Sequence, residues 1–91
     1  MQLISGAFKA RRQFQGWARR MHLKVIESGR KKEKNWLVHH VDLDPAHETI
    51  SRDQVAWYIE QAAKDFSKKH GVTPAIEKQG NKIRVSFRSP R

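Results

Sequence analysis

Ninety-one residues allow one small domain with a single core and little surplus for a second. The chain has no cysteine, which excludes disulfides, thiolate metal sites and cysteine nucleophiles, and no apolar run approaches a membrane span. The formal net charge is +10 with a pI of about 10.6, in the range of nucleic-acid-binding domains. It is unevenly placed: residues 1–35 carry +8, residues 36–70 carry −2 and residues 71–91 carry +4.

The first acid is Glu27. Before it stand Lys9, Arg11, Arg12, Arg19, Arg20 and Lys24, with Phe8, Phe14 and Trp17 among them. Leu3, Ala7, Ala10, Phe14, Trp17 and Ala18 share one side of a 3.6-residue wheel, while Lys9, Arg12 and Arg19 share the other and Arg20 flanks them. The pattern predicts an amphipathic helix over roughly residues 5–19, despite Gly6 and Gly16. Such a segment suits a polyanion-binding arm, ordered before or upon binding. An acid-free, Arg-rich start also has the look of a mitochondrial presequence. The scarcity of serine favours a retained arm over a cleaved peptide.

His22–Glu27 is the first strand candidate, Ser28–Asn35 a charged loop, and Trp36–Leu43 the second strand, closed by Asp44-Pro45. The best-defined element is a helix from Arg52 to Lys69. Ser51 is its N-cap, Gln54 completes the capping box, and Ile50 with Val55 makes the hydrophobic staple. Lys68, Lys69 and His70 suit the negative end of the helix dipole, and Gly71 supplies the left-handed residue that follows. Val55, Ile59, Ala62, Ala63 and Phe66 form its buried stripe. Val72–Lys78 and Asn81–Arg88 make a second hairpin turning at Gln79-Gly80. In its last strand Ile83, Val85 and Phe87 alternate with Lys82, Arg84, Ser86 and Arg88.

The expected fold is therefore α+β. Residues 1–20 form a basic amphipathic helix or arm. Residues 21–91 form one ββαββ domain, a four-stranded antiparallel sheet with one helix on one face. On the second strand Leu37, His39, Val41 and Leu43 face the helix, and Trp36, Val38, His40 and Asp42 face away, joined by Lys24, Arg84 and Arg88. Exposed Trp36 and His40 among cations make a stacking platform. The competing expectation is that the N-terminal helix or a second copy of the chain covers this face. Trp57 stands opposite the buried stripe of its helix and is a candidate interface anchor.

His39 and His40 point to opposite faces, so they cannot jointly hold a metal or act as an acid–base pair. Asp42, Asp44, His47 and Glu48 match no ligand spacing. Tyr58 lacks the paired histidines of strand-transfer chemistry. No catalytic residue, cofactor or metal is expected.

The order of a helix ending in Gly16-Trp17, two strands, a helix with Ala56 and Ala62-Ala63, and then Pro74 and Asn81–Phe87 resembles the pterin-4a-carbinolamine dehydratase fold over residues 14–88. The resemblance implies a shared topology and a habit of dimerisation. That family's catalytic His-His-Pro would fall at Val72-Thr73-Pro74 and its later active-site histidine at Pro90, and its last helix is missing. The resemblance thus implies that dehydratase activity is lost.

The sequence reading is a non-enzymatic nucleic-acid binder, of DNA or RNA. Its phosphate contacts are Lys9, Arg11, Arg12, Arg19 and Arg20 on the arm, Arg30, Lys31, Lys32 and Lys34 at the hairpin tip, and Arg84 and Arg88 on the sheet. Trp36 and His40 are the base contacts. The alternative is a homodimer, through the sheet face or Trp57, that binds an acidic partner. An intracellular place is expected, in cytoplasm or nucleoid, with the mitochondrion as the other candidate.

Overall fold

The computed structural model describes residues 5–90; Leu3 and Arg91 lie outside the described residues. The order is α1 (Gly6–Arg20), β1 (Lys24–Lys32), β2 (Trp36–Asp44), α2 (Arg52–His70), β3 (Thr73–Gln79) and β4 (Lys82–Pro90). The strands form one antiparallel sheet in the order β1-β2-β4-β3, giving the α+β class that the periodicities predict.

Local chemistry fixes the helix ends. Ser5 Oγ accepts from Phe8 N at 3.1 Å, and Ser51 Oγ accepts from Gln54 N at 3.2 Å. Both helices end alike. In α2 Val72 N donates to Ser67 O beyond left-handed Gly71 (φ 64°). In α1 Leu23 N donates to Ala18 O beyond His22, whose φ is 60°. A non-glycine residue therefore fills a position that strains a β-carbon.

Both helices lie on the same face of the sheet. Ala7, Ala10, Phe14 and Ala18 of α1 are fully buried in the core that holds Val55, Ile59 and Ala63 of α2 with Val41, Leu43, Val85 and Phe87 of the sheet. Phe14 stacks on Phe87 at 5.6 Å between ring centroids. The helices run antiparallel: His70 at the end of α2 bonds Gln13, and His47 before α2 bonds the carbonyl of Met21 after α1. Residues 6–20 are thus one wall of the only core among the described residues. They do not cover the outer face of the sheet, as one sequence expectation had it, because their buried stripe packs beside α2. Leu37 and Phe66, expected inside, are partly exposed, Phe66 packing against the core's margin.

The first hairpin departs most from expectation. Ser28–Lys32, read as loop, continues β1 in register with Leu37–Val41. Glu33 and Trp36 exchange backbone hydrogen bonds, so only Lys34-Asn35 remain as the turn. Pairing to the strongly apolar β2 overrides the polar composition of SGRKK, since strand formation is set by cross-strand partners more than by intrinsic preference. A bulge at Ile26 restores the alternation, leaving that side chain 47% exposed.

Candidate nucleic-acid interface

The sheet separates the predicted cations into two populations that differ in whether they are paired.

On the outer face most are engaged. Asp42 points away from the helices yet is fully buried, because Arg84 and Lys82 close over it. Arg84 donates Nε to Oδ1 at 2.8 Å and Nη2 to Oδ2 at 3.0 Å, and Lys82 Nζ reaches Oδ2 at 3.1 Å. The Arg84 hydrogen bonds, with help from Lys82, hold the Asp42 carboxyl down to about 2 against the cost of its burial. Arg84 is therefore a structural clamp, not a free phosphate contact. Arg88 lies over the Trp36 ring at 4.8 Å, with Glu33 4.0 Å from its guanidinium. The Trp36 platform expected for base stacking thus already carries a cation on one side. His40 is part-buried across Gly29, where an added Cβ would meet its Cε1 at 2.8 Å; the absent side chain makes room for the ring.

On the helical side Lys64 pairs with Glu60 along α2 at 2.9 Å, but the cations of α1 make no ion pair among the described residues. An open groove is lined by Lys9, Arg12, Gln13, Gly16 and Arg20 of α1, with Phe66 and Lys69 of α2 and the Phe8 ring. No carboxylate lines it, and none of its four cations makes an ion pair or hydrogen bond among the described residues. His70 Nε2 beside it donates to Gln13 Oε1 at 3.0 Å, and burial together with the Lys69 and Lys9 charges lowers its pKa. In the sequence Lys69 has only the helix dipole to serve, and nothing local tells that α1 brings three cations next to it.

A second depression adjoins Phe8, where α1 meets the edge strand. Arg11, Ser28, Gly29, Arg30 and His39 complete its lining. His39 is 3% exposed, under α1. Its Nδ1 accepts from Arg11 Nε at 3.2 Å, and its ring meets Phe8 edge-on at 5.7 Å. Burial, then the charges of Arg11, Arg30 and His40, lower its pKa, and an Nδ1 that accepts from a guanidinium carries no proton. Arg19 is exposed but lines neither depression. By the strand alternation Lys32 follows Arg30 on the helical side, Lys31 stands on the outer side, and Lys34 is in the turn.

The remaining candidates are accounted for by structure. Asp44 accepts from Ala46 N at 2.9 Å, and His47 Nδ1 accepts from the Thr49 and Ile50 amides while Nε2 donates to Met21 O. No group of three or more metal-ligating side chains occurs among the described residues. Trp57 is 53% exposed, its ring edge-on to Tyr58. None of the helices in the described residues is long and apolar enough to cross a membrane. No protein-family model matches this chain, and no curated protein matches it.

Proposed function

We propose that this is a non-enzymatic nucleic-acid-binding protein that holds a phosphate backbone on its helical side. One observation carries the reading. Lys9, Arg12 and Arg20 from α1 and Lys69 from α2 meet in one groove, unpaired among the described residues and without a carboxylate, whereas Lys82, Arg84 and Arg88 on the outer face each stand in an ion pair. Four cations left unpaired at fixed spacing repel one another, and a polyanion relieves that repulsion while releasing its own counterions. Burial chiefly lowers the His70 pKa, and the Lys69 and Lys9 charges add to it. Arg11, Arg30 and Lys32 extend this side toward the hairpin tip, whereas Arg84, Arg88 and Trp36 are tied up on the other face. The setting is intracellular, where such polymers are found. The test is filter binding of single- and double-stranded DNA and RNA at two salt concentrations. A steep loss of affinity with salt is expected, and an affinity indifferent to salt refutes the reading.

A second reading, homodimerisation through the outer face, rests on its charge pattern. Along β1, Glu27 and Lys31 stand two residues either side of Gly29 in a row that continues through His40, Ser86 and Ala75. A two-fold axis along that row sets Glu27 of one copy opposite Lys31 of the other, twice, as an isologous interface requires. Sedimentation equilibrium of the protein and of Lys31→Glu tests it: the variant dissociates if the reading holds, and a monomeric parent chain refutes it. Dimerisation would leave both helical sides facing outward.

A further inference from the structure

We propose that the corner between α1 and the edge strand, formed by Phe8, Arg11, Ser28, Arg30 and His39, binds a phosphate monoester, and that the monoester is the terminal phosphate of a nucleic-acid strand lying in the adjoining groove. The second half rests on the nucleic-acid reading above; the first stands without it.

The corner is a concentration of unused donors. Arg11 has five N–H groups. It donates Nε to His39 and one Nη1 hydrogen to Gln15 Oε1 at 3.0 Å, which fixes the guanidinium plane and leaves the Nη2 pair free. Because His39 Nδ1 accepts, its proton sits on Nε2; that N–H has no partner among the described residues and is not sealed from solvent, although the residue is only 3% exposed. Arg30 and the Ser28 hydroxyl are likewise unpartnered. No acceptor of charge lines the depression. The four acids of this hairpin stand away from the corner: Glu27 is in register with Asp42 on the outer face, Glu33 is near Arg88, and Asp44 accepts from Ala46 N.

The preference for a monoester follows from charge and valence. An internal phosphodiester carries one negative charge and two free oxygens. A terminal phosphate near neutral pH carries between about 1.5 and 2 negative charges and three strong acceptors. Two arginines, an imidazole N–H and a hydroxyl converging from α1, β1 and β2 match the second. Geometry supplies the link to a strand: Phe8 lines both depressions, so a backbone in the groove reaches the corner by passing one aromatic ring. Arg11 lies over one face of the ring at 5.2 Å and His39 meets its edge, so the ring is fixed where the two depressions meet. Burial first, and then the Arg11 and Arg30 charges, hold the His39 pKa down; a dianion seated here offsets the charge contribution.

The test compares one oligonucleotide bearing a 5′-phosphate, a 3′-phosphate or neither, by fluorescence anisotropy. One phosphorylated form is expected to bind about tenfold tighter than the unphosphorylated strand, about 1.4 kcal/mol. In Arg30→Gln, an exposed edge position whose change does not threaten the core, that ratio is expected to fall to near one. Three forms that bind within twofold of each other overturn the proposal, as does a ratio that survives Arg30→Gln. A parallel arm follows the His39 ring resonances by NMR during titration with inorganic phosphate and with a nucleoside monophosphate. A rise in the His39 pKa on loading is expected. If the free nucleotide saturates the corner at lower concentration than the phosphorylated strand does, the strand-end assignment is overturned and a free mononucleotide takes its place. If no oligonucleotide binds at all, the nucleic-acid reading has failed on its own, and the phosphate arm decides the corner: unmoved His39 resonances overturn it.

Discussion

Replacing Arg12 and Lys69 together by glutamine removes half of the groove's charge without touching the core. Both side chains are exposed and bonded to nothing among the described residues, so the fold has no reason to respond. If each of the four cations meets one phosphate, the groove contributes a slope of about −3.6 to log K against log salt on duplex DNA, or about −2.8 on a single strand. The double variant is left with about −1.8 or −1.4. Between 50 and 200 mM salt the parent groove should then lose roughly 150-fold in duplex affinity and the variant only roughly 12-fold. Filter binding over that range measures both slopes. Lys64→Gln with Lys78→Gln, an equal loss of charge at exposed sites outside the groove, is the control. The reasoning is refuted if the control flattens the slope as much as the groove variant does, because net charge alone would then account for binding.

Phe14→Ala should cost about 3–5 kcal/mol, the range for a fully buried aromatic, and lower the melting temperature by more than 10 °C; circular dichroism melts measure it, and a chain beginning at residue 21 that still melts cooperatively would show that α1 is dispensable. Asp42→Asn should cost about 2 kcal/mol at pH 7, the equivalent of a carboxyl held from 3.8 to about 2. That stability is present above pH 4 and is lost as pH falls through 2, so urea titrations should find the gap between parent and variant closing over that window. A gap that persists at pH 2 contradicts the clamp. His22→Gly should stabilise by about 0.5–1 kcal/mol by relieving a left-handed β-carbon, and a lowered melting temperature would contradict it.

What could be read in advance was what local chemistry decides. Ser51 and Gly71 bound α2 because capping is satisfied within four residues, and the alternation of β4 survives because the sheet's inner face is buried along its whole length. The stripe Ala7, Ala10, Phe14 and Ala18 announced an amphipathic α1, but no residue in it encodes which face of a sheet to take. That choice comes from α2, nearly fifty positions away. SGRKK has loop composition and becomes strand only through β2. His22 gives no sign of the conformation that Gly71 advertises. The corner draws on positions 8, 11, 28, 30 and 39, so its donors converge only once α1 lies over β1 and β2. The adjacency of Lys69 to three cations of α1 was hidden for the same reason.

The charge count alone pointed equally at the arm, the hairpin tip and the sheet, and it is pairing that separates them. Of the nine acids, Glu27, Glu33, Asp42, Asp44 and Glu77 are on or beside the strands, and α1 has none. Asp42 spends itself on two cations, and Glu27 and Glu77 also act on Arg84, whose pKa rises above its ordinary value chiefly through the Asp42 hydrogen bonds. A guanidinium so engaged gives up hydrogen bonds before it can take a phosphate, and the carboxylate left behind is buried and repels the newcomer. The cations of the groove and corner give up nothing of that kind: their ion pairs are unmade, and His39 and His70, the two histidines against them, are both held toward the neutral state. A ligand on the outer face must compete with the protein for its own arginines. One on the helical side meets cations whose ion pairs are unmade, and this asymmetry supports the proposal that the nucleic acid is held there.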